Sequence, residues 1–176
     1  MVMNKKMIVS IGLIVLLIMI RPNNTGEIWD KISEERIKML HPKIRDAARK
    51  FINNALSQGI KLRITSGFRS IQEQDDLYDQ GRTKPGNIVT YLKGGYSNHN
   101  YGLAIDVVPI KNGKADWNSP LWNKIGKIGK DVGFKWGGDW TSFKDKPHFE
   151  MMFGNNINQI RDKYLDGDLI NNYVNI

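Results

Sequence analysis

Ser97-Asn98-His99-Asn100-Tyr101-Gly102-Leu103-Ala104-Ile105-Asp106-Val107-Val108 is the stretch on which the reading of this chain turns. Gly102 and the β-branched residues Ile105, Val107 and Val108 argue for a turn followed by a strand, not for one helix face. His99 then falls in the turn and Asp106 on the strand. A carboxylate between two apolar strand residues is costly unless it is paired or coordinates a cation. Further along, Asp145-Lys146-Pro147-His148 supplies another acid and another imidazole. Pro147 biases Lys146 away from the helical region, so these two meet at a bend. Two neutral imidazoles and a carboxylate make a three-donor site that leaves a fourth position for a reactive water, the pattern of a metallohydrolase.

The rest of the composition narrows the choice. The 176 residues contain no Cys and only three His, which removes thiolate metal sites, iron–sulfur clusters and cysteine nucleophiles. With 40% hydrophobic and 25% charged residues, the soluble part suits one domain with a core. The net charge is +8, of which Lys5, Lys6 and Arg21 supply three, so the body is basic in its own right. That suits anionic cell-wall polymers or anionic lipid; no Arg-rich helix or aromatic RNA-binding signature points to nucleic acid. Nothing in the sequence calls for more than a monomer.

Lys5-Lys6 precede an apolar run from Met7 to Ile20. As a helix it covers about 21 Å, short of the roughly 30 Å hydrocarbon core, and reads as a signal peptide or an uncleaved N-terminal membrane anchor. Either sends the rest of the chain out of the cytoplasm. The expected organisation is residues 1–21 as that segment, 22–39 as a linker and helix, and 40–176 as the catalytic domain.

Within that domain, Pro42 opens a helix with Ile44, Ala47, Ala48, Phe51, Ile52, Ala55 and Leu56 on one stripe, and Gly59 closes it. Before it, Trp29, Ile32, Met39 and Leu40 fall near helical spacing, with Ile37 off the stripe. Lys61 to Thr65 alternates as a strand, and Ser70 with Glu73 forms a capping box for a short helix. Residues 81–98 read as a long loop. Helices opening at Ser119-Pro120 and spanning about Ile157 to Leu165, with strands at Phe134 to Trp136 and His148 to Met152, complete an α+β domain with a small, mostly antiparallel sheet. Trp136 and Trp140, flanking Gly137-Gly138, are candidates for the floor of a peptide groove. Ser97 is a candidate for a substrate contact or a turn former. Asp139 reads as a turn residue or as support behind the ligands, Glu150 as a second acid or as support for His148, and His41, beside Pro42, as structural.

Taken together, Ser97, His99, Gly102, Ala104 and Asp106 with Pro147-His148-Phe149-Glu150 resemble the D-Ala-D-Ala carboxypeptidase / L-Ala-D-Glu endopeptidase superfamily of zinc peptidases. Ser66-Gly67-Phe68-Arg69-Ser70, Gln74-Asp75-Asp76-Leu77-Tyr78 and Trp136-Gly137-Gly138-Asp139-Trp140 look like its peptidoglycan L-alanyl-D-glutamate endopeptidase branch. The resemblance implies an α+β fold shared with Hedgehog domains and one zinc ion on His99, Asp106 and His148. It further implies Asp145 as acid/base, Arg69 as a substrate-binding and transition-state-stabilising residue, and the peptidoglycan stem peptide as substrate. Carboxypeptidase members usually carry Glu where this chain has Asp145, which favours the endopeptidase. The alternatives are a D-Ala-D-Ala carboxypeptidase and a wall-binding module that keeps its metal without catalysis. A non-haem iron oxygenase would need a His and an acid closer together and a larger barrel of strands.

Overall fold

The computed structural model describes residues 28–176; residues 1–21, expected to be a signal peptide or anchor, lie outside them. Among the described residues no helix is long and apolar enough to cross a membrane.

Helix α1 (Lys31–Lys38) starts where the Asp30 side chain accepts the Ser33 N–H, an N-cap that also places a carboxylate at the positive end of the helix. Its buried face is Ser33 and Ile37, with Leu40 buried just beyond its end, whereas Ile32 and Met39 are exposed. The apolar count along the sequence favours the wrong stripe here, because the Ser33 hydroxyl is drawn inward to meet the Ile64 N–H and Asp30. Asp30 in turn takes a two-pronged grip from Arg63, and Trp29 Nε1 donates to the Leu62 carbonyl. Residues 29–40 therefore share the core that begins at residue 40.

Helix α2 (Pro42–Ser57) buries Ile44, Ala48, Phe51, Ile52 and Ala55 as its periodicity predicts, and Gly59 turns the chain with φ +78°. Strand β1 (Leu62–Ser66), helix α3 (Ile71–Asp79), strand β2 (Ala104–Lys111) and the two-residue strand β3 (Lys114–Ala115) follow. Helix α4 (Trp122–Asp131), β4 (Lys135–Trp136), β5 (His148–Glu150) and α5 (Ile157–Leu165) complete the main body. The predicted capping box of α3 forms: the Glu73 N–H bonds Ser70 Oγ and the Ser70 N–H bonds the Glu73 carboxylate. Leu121, expected inside α4, precedes it and is exposed.

The sheet runs β1-β2-β5-β4, antiparallel throughout, with β3 beside β2. Helices α2 and α4 cover one face. Phe149 is the centre of that layer, with ring centroids 4.7 Å from Phe51 and 6.3 Å from the stacked Trp136. Gly126 and Gly129 cost α4 some intrinsic stability. A methyl group there would sit 2.3 Å from Trp136 and 2.4 Å from Phe149 respectively, so the rings occupy the space that side chains would need.

A final hairpin, β6 (Leu169–Ile170) and β7 (Tyr173–Val174), is not anticipated by the strand patterns. Its signal is Asn171-Asn172, both at positive φ, the conformation of a two-residue turn between antiparallel strands. The hairpin is tied back to α2: His41 Nδ1 accepts the Lys43 N–H at the helix start, and His41 Nε2 donates to the Val174 carbonyl.

Candidate metal centre and active site

Register puts the two strand-borne residues side by side. Asp106 on β2 is paired with His148 on β5, and Ser66 at the end of β1 is paired with Asp106 on the other side. The ladder slips between Ile64 and Ser66, an irregularity that lets the chain leave β1 at the level of the site. The freed Gly67 carbonyl accepts a hydrogen bond from His99 Nδ1 at 2.7 Å. His99 itself sits in a 3-10 turn, Asn98–Tyr101, closed by Gly102 at φ +67°. A side chain at Gly102 would come within 2.6 Å of the His41 nitrogen, so position 102 is restricted twice over.

His99 Nε2 lies 3.4 Å from Asp106 Oδ1, and His148 Nδ1 lies 3.1 Å from the same oxygen. One donor atom from each of the three residues falls within 4.8 Å of the others, and both imidazoles are buried. Donors at about 2.0–2.1 Å from a tetrahedral ion are separated by about 3.3 Å, so the spacing suits a transition metal without rearrangement. The remaining ring nitrogens are already engaged: His99 Nδ1 on Gly67, His148 Nε2 on the Glu150 carboxylate at 3.2 Å. Glu150 is steadied by Asn98 Nδ2 at 2.8 Å. This is the pattern by which proteins fix ligand tautomers, each imidazole donating away from the metal and offering its lone pair towards it. Two imidazoles and one carboxylate suit zinc better than the all-oxygen preference of calcium or magnesium.

The electrostatics agree with an ion-binding site. Burial opposes ionisation of Asp106, yet hydrogen bonds and positive charge from His148 and His99 hold its carboxyl well below the usual range. Burial also opposes the His148 imidazolium, but Asp106 and Glu150 push it up to about 9. A divalent ion would replace that proton. Asp145 moves in the opposite sense: burial, then the Asp106 charge, raise its carboxyl above the ordinary value.

The turn carrying Asp145 is held on three sides. The Asp145 N–H donates to the Gly137 carbonyl, Trp136 Nε1 to the Lys146 carbonyl, and the Val107 N–H to the Pro147 carbonyl. Gly137 is required by close approach, since a Cβ there would meet the Asp145 carbonyl oxygen at 2.5 Å. The turn thus brings Asp145 into the electrostatic reach of Asp106, His148 and His99.

Arg69 is held nearby: its N–H bonds the His99 carbonyl, while Nη1 and Nη2 donate to Gln74 Oε1 and Ser66 Oγ at 2.7 and 3.0 Å. It lines a groove of about 580 Å³ with Arg36, Met39, Ser66, Phe68 and Glu73, beside the three-donor group and not over it. Two buried amides organise this region and escape sequence reasoning. Gln74 joins Arg69 to the Leu92 carbonyl, and Asn100 joins the Arg69 carbonyl to the Gly95 and Ser97 amides. The available signals were a polar residue on the inner side of α3 and an Asn within the His99 turn. Ser97 is buried at the head of that turn.

Trp136 does not form an open groove floor. At 6% exposure it belongs to the core and backs the Asp145 turn, because its indole N–H is used by the Lys146 carbonyl. Trp140 is the tryptophan that faces outward beside His148, with ring centroids 5.2 Å apart. Asp139 ends the 3-10 turn Gly137–Asp139 and pairs with Lys130 at 2.7 Å.

A family model described as D-alanyl-D-alanine carboxypeptidase matches residues 92–151, which include His99, Asp106, Asp145 and His148. The peptidoglycan L-alanyl-D-glutamate endopeptidase CwlK of Bacillus subtilis (strain 168) is 49% identical over 123 residues, covering 64% of this chain and 74% of that protein. The L-alanyl-D-glutamate peptidase of Listeria phage A118 is 29% identical over 120 residues, 66% of this chain and 40% of that one. Among solved structures, a mutant of the vancomycin-resistance D,D-pentapeptidase VanY in complex with Zn(II) superposes with a TM-score of 0.52 over 71% of this chain and 79% of that one. Its identity of 15% speaks to shared fold. By the first of these relatives, the chain belongs to the family of peptidoglycan L-alanyl-D-glutamate endopeptidases, and its residues 92–151 match the D-alanyl-D-alanine carboxypeptidase family model.

Proposed function

We propose that this protein is a zinc peptidase that hydrolyses the L-Ala–D-Glu bond of peptidoglycan stem peptides. The observation that carries the reading is the convergence of His99 Nε2, Asp106 Oδ1 and His148 Nδ1 in a chain 49% identical to a peptidoglycan L-alanyl-D-glutamate endopeptidase.

His99, Asp106 and His148 would hold one zinc ion. When bound, zinc would lower the pKa of a coordinated water far below its bulk value, to about 7, and polarise a carbonyl oxygen. Asp145 takes the proton from the attacking water as the L-Ala carbonyl carbon is approached, and returns it to the D-Glu nitrogen as the C–N bond breaks. Burial raises its carboxyl in the metal-free protein, and that partly dry setting supports the double duty, since an ordinary solvated Asp gives up its proton too readily to hand it on. Arg69, aimed by Gln74 and Ser66, neutralises the negative charge that develops on the carbonyl oxygen or grips the D-Glu carboxylate. Ser97 shapes the turn that presents His99, and Trp136 stiffens the turn that presents Asp145.

A substrate in the wall places the work outside the cytoplasm, where residues 1–21, as export signal or anchor, would deliver the domain. The positive charge of the body suits the anionic polymers found there.

Mass spectrometry of purified peptidoglycan digested by the zinc-loaded protein tests this reading. New amino-terminal D-Glu with matching L-Ala carboxyl ends is expected. Release of free D-Ala instead would reassign the enzyme as a carboxypeptidase, and no new ends with zinc bound would leave a non-catalytic wall-binding module.

A further inference from the structure

The reaction as derived leaves residues 139–144 without a role, yet this loop carries two large exposed rings. Trp140 is 37% exposed beside His148, and Phe143 is 69% exposed. Phe143 stands three residues along the loop from Trp140 and two before Asp145, and exposed aromatic groups at a site mark a surface that a ligand covers. Strand order fixes where the loop stands: β1 and β4 are the two ends of the main path, with Asp106 on β2 and His148 on β5 between them. Arg69 follows β1, whereas Trp140 follows β4. A substrate laid across the central donors therefore meets a cation on one flank and aromatic rings on the other.

These flanks match the two ends of a stem peptide. D-Glu is joined onward through its side-chain carboxyl, so its α-carboxylate is free next to the scissile bond. L-Ala, on the other side, is amide-linked to the lactyl group of N-acetylmuramic acid. A sugar thus lies one residue from the bond that breaks, and a pyranose ring presents C–H faces that pack well on aromatic rings. We infer that Trp140 and Phe143 form a stacking platform for the muramyl sugar, so that the enzyme takes glycan-linked peptides with the D-Glu α-carboxylate towards Arg69. This rests on the endopeptidase reading above. The base of the platform is anchored, with the Trp140 N–H on the Gly137 carbonyl and Lys130 on Asp139 at 2.7 Å, which lowers the ordering cost of binding.

The test compares N-acetylmuramyl-L-Ala-γ-D-Glu-L-Lys with N-acetyl-L-Ala-γ-D-Glu-L-Lys as substrates of the zinc-loaded protein. The wild type is expected to favour the sugar-bearing peptide by about tenfold in kcat/KM, chiefly through KM. Phe143→Ala and Trp140→Ala should each bring that ratio down towards one, and Trp140→Phe should retain most of it. Equal rates on both peptides in the wild type, or an unaltered ratio in both alanine variants, would overturn the platform alone. Calorimetric titration of zinc-loaded Asp145→Asn with the two peptides reads the platform without turnover. Sugar-dependent binding there upholds the platform even where neither peptide is cut, the outcome that would overturn the endopeptidase reading. Equal binding of both peptides overturns the platform.

Discussion

His41 and His148 are both buried, at 5% and 8% exposure, and both use their two ring nitrogens. His41 is surrounded by backbone groups: it accepts from Lys43 and donates to Val174. Burial then dominates, with Lys43 and Arg45 nearby, and its pKa falls. His148 is buried against two carboxylates, and its pKa rises to about 9. The same side chain, little exposed in both places, is a structural clasp in one and a member of the proposed metal site in the other. Burial alone does not mark function; a concentration of uncompensated negative charge around the ring does.

The largest effect separating the two should come from alanine substitution. His148→Ala should abolish stoichiometric zinc binding and turnover together. His41→Ala should keep both and lose about 0.5–2 kcal/mol of stability, the usual value of a helix cap. Metal content by elemental analysis alongside thermal unfolding checks the pair, and full zinc in His148→Ala would remove it from the ligand set. The metal-free protein offers a second contrast. His41 has a lowered pKa, so its contribution to stability is present above its ordinary value of 6.5 and is lost as pH falls through the lower folded value. His148 has a raised one, so its contribution is present below 6.5 and is lost as pH rises through about 9. Unfolding midpoints of the two variants across that range should diverge from the parent at opposite ends.

Next in size is Asp145→Asn, which keeps the turn and the metal but removes the proton acceptor. Turnover should fall by about 100- to 10,000-fold with zinc content unchanged. In the metal-free protein the Asp145 carboxyl should titrate above the ordinary Asp range, because burial and then the Asp106 charge raise it, and loading with zinc should lower it. A carboxyl at the value of a solvated Asp in the metal-free protein, read by NMR titration, would show that its surroundings do not perturb it.

Much of this was legible in the sequence where local signals and tertiary demands coincide. Helix α2, the Ser70 capping box and α5 follow from periodicity and capping, and Gly102 with the β-branched run placed His99 and Asp106 correctly on turn and strand. The misreadings occur where tertiary contacts decide. Ser33, a polar residue, is buried because an unpaired strand amide needs it, which rotates α1 away from the face that apolar counting selects. Trp136 turned inward because Gly126 and Gly129 leave room for its ring and for Phe149, a complementarity between segments that no single window displays. Gln74 and Asn100 were invisible as organisers because their partners lie on other elements.

The smallest expected effect sharpens the comparison most. What distinguishes His148 from His41 beyond Asp106 is Glu150, which accepts from Nε2 and is itself held by Asn98. Glu150→Gln keeps the shape and can still accept that hydrogen bond through its carbonyl oxygen, but removes the negative charge. If charge behind the ring is what makes His148 a strong ligand, zinc affinity should fall by about 10- to 100-fold while the fold and the His99 side of the site are kept. The variant should also bring His148 nearer to an ordinary histidine in the metal-free protein, so fewer protons leave on zinc binding at neutral pH. Calorimetry in buffers of different ionisation enthalpy reads both quantities together. Unchanged affinity and proton release would reduce Glu150 to a packing role, and Asp106 alone would then account for the difference between the two histidines.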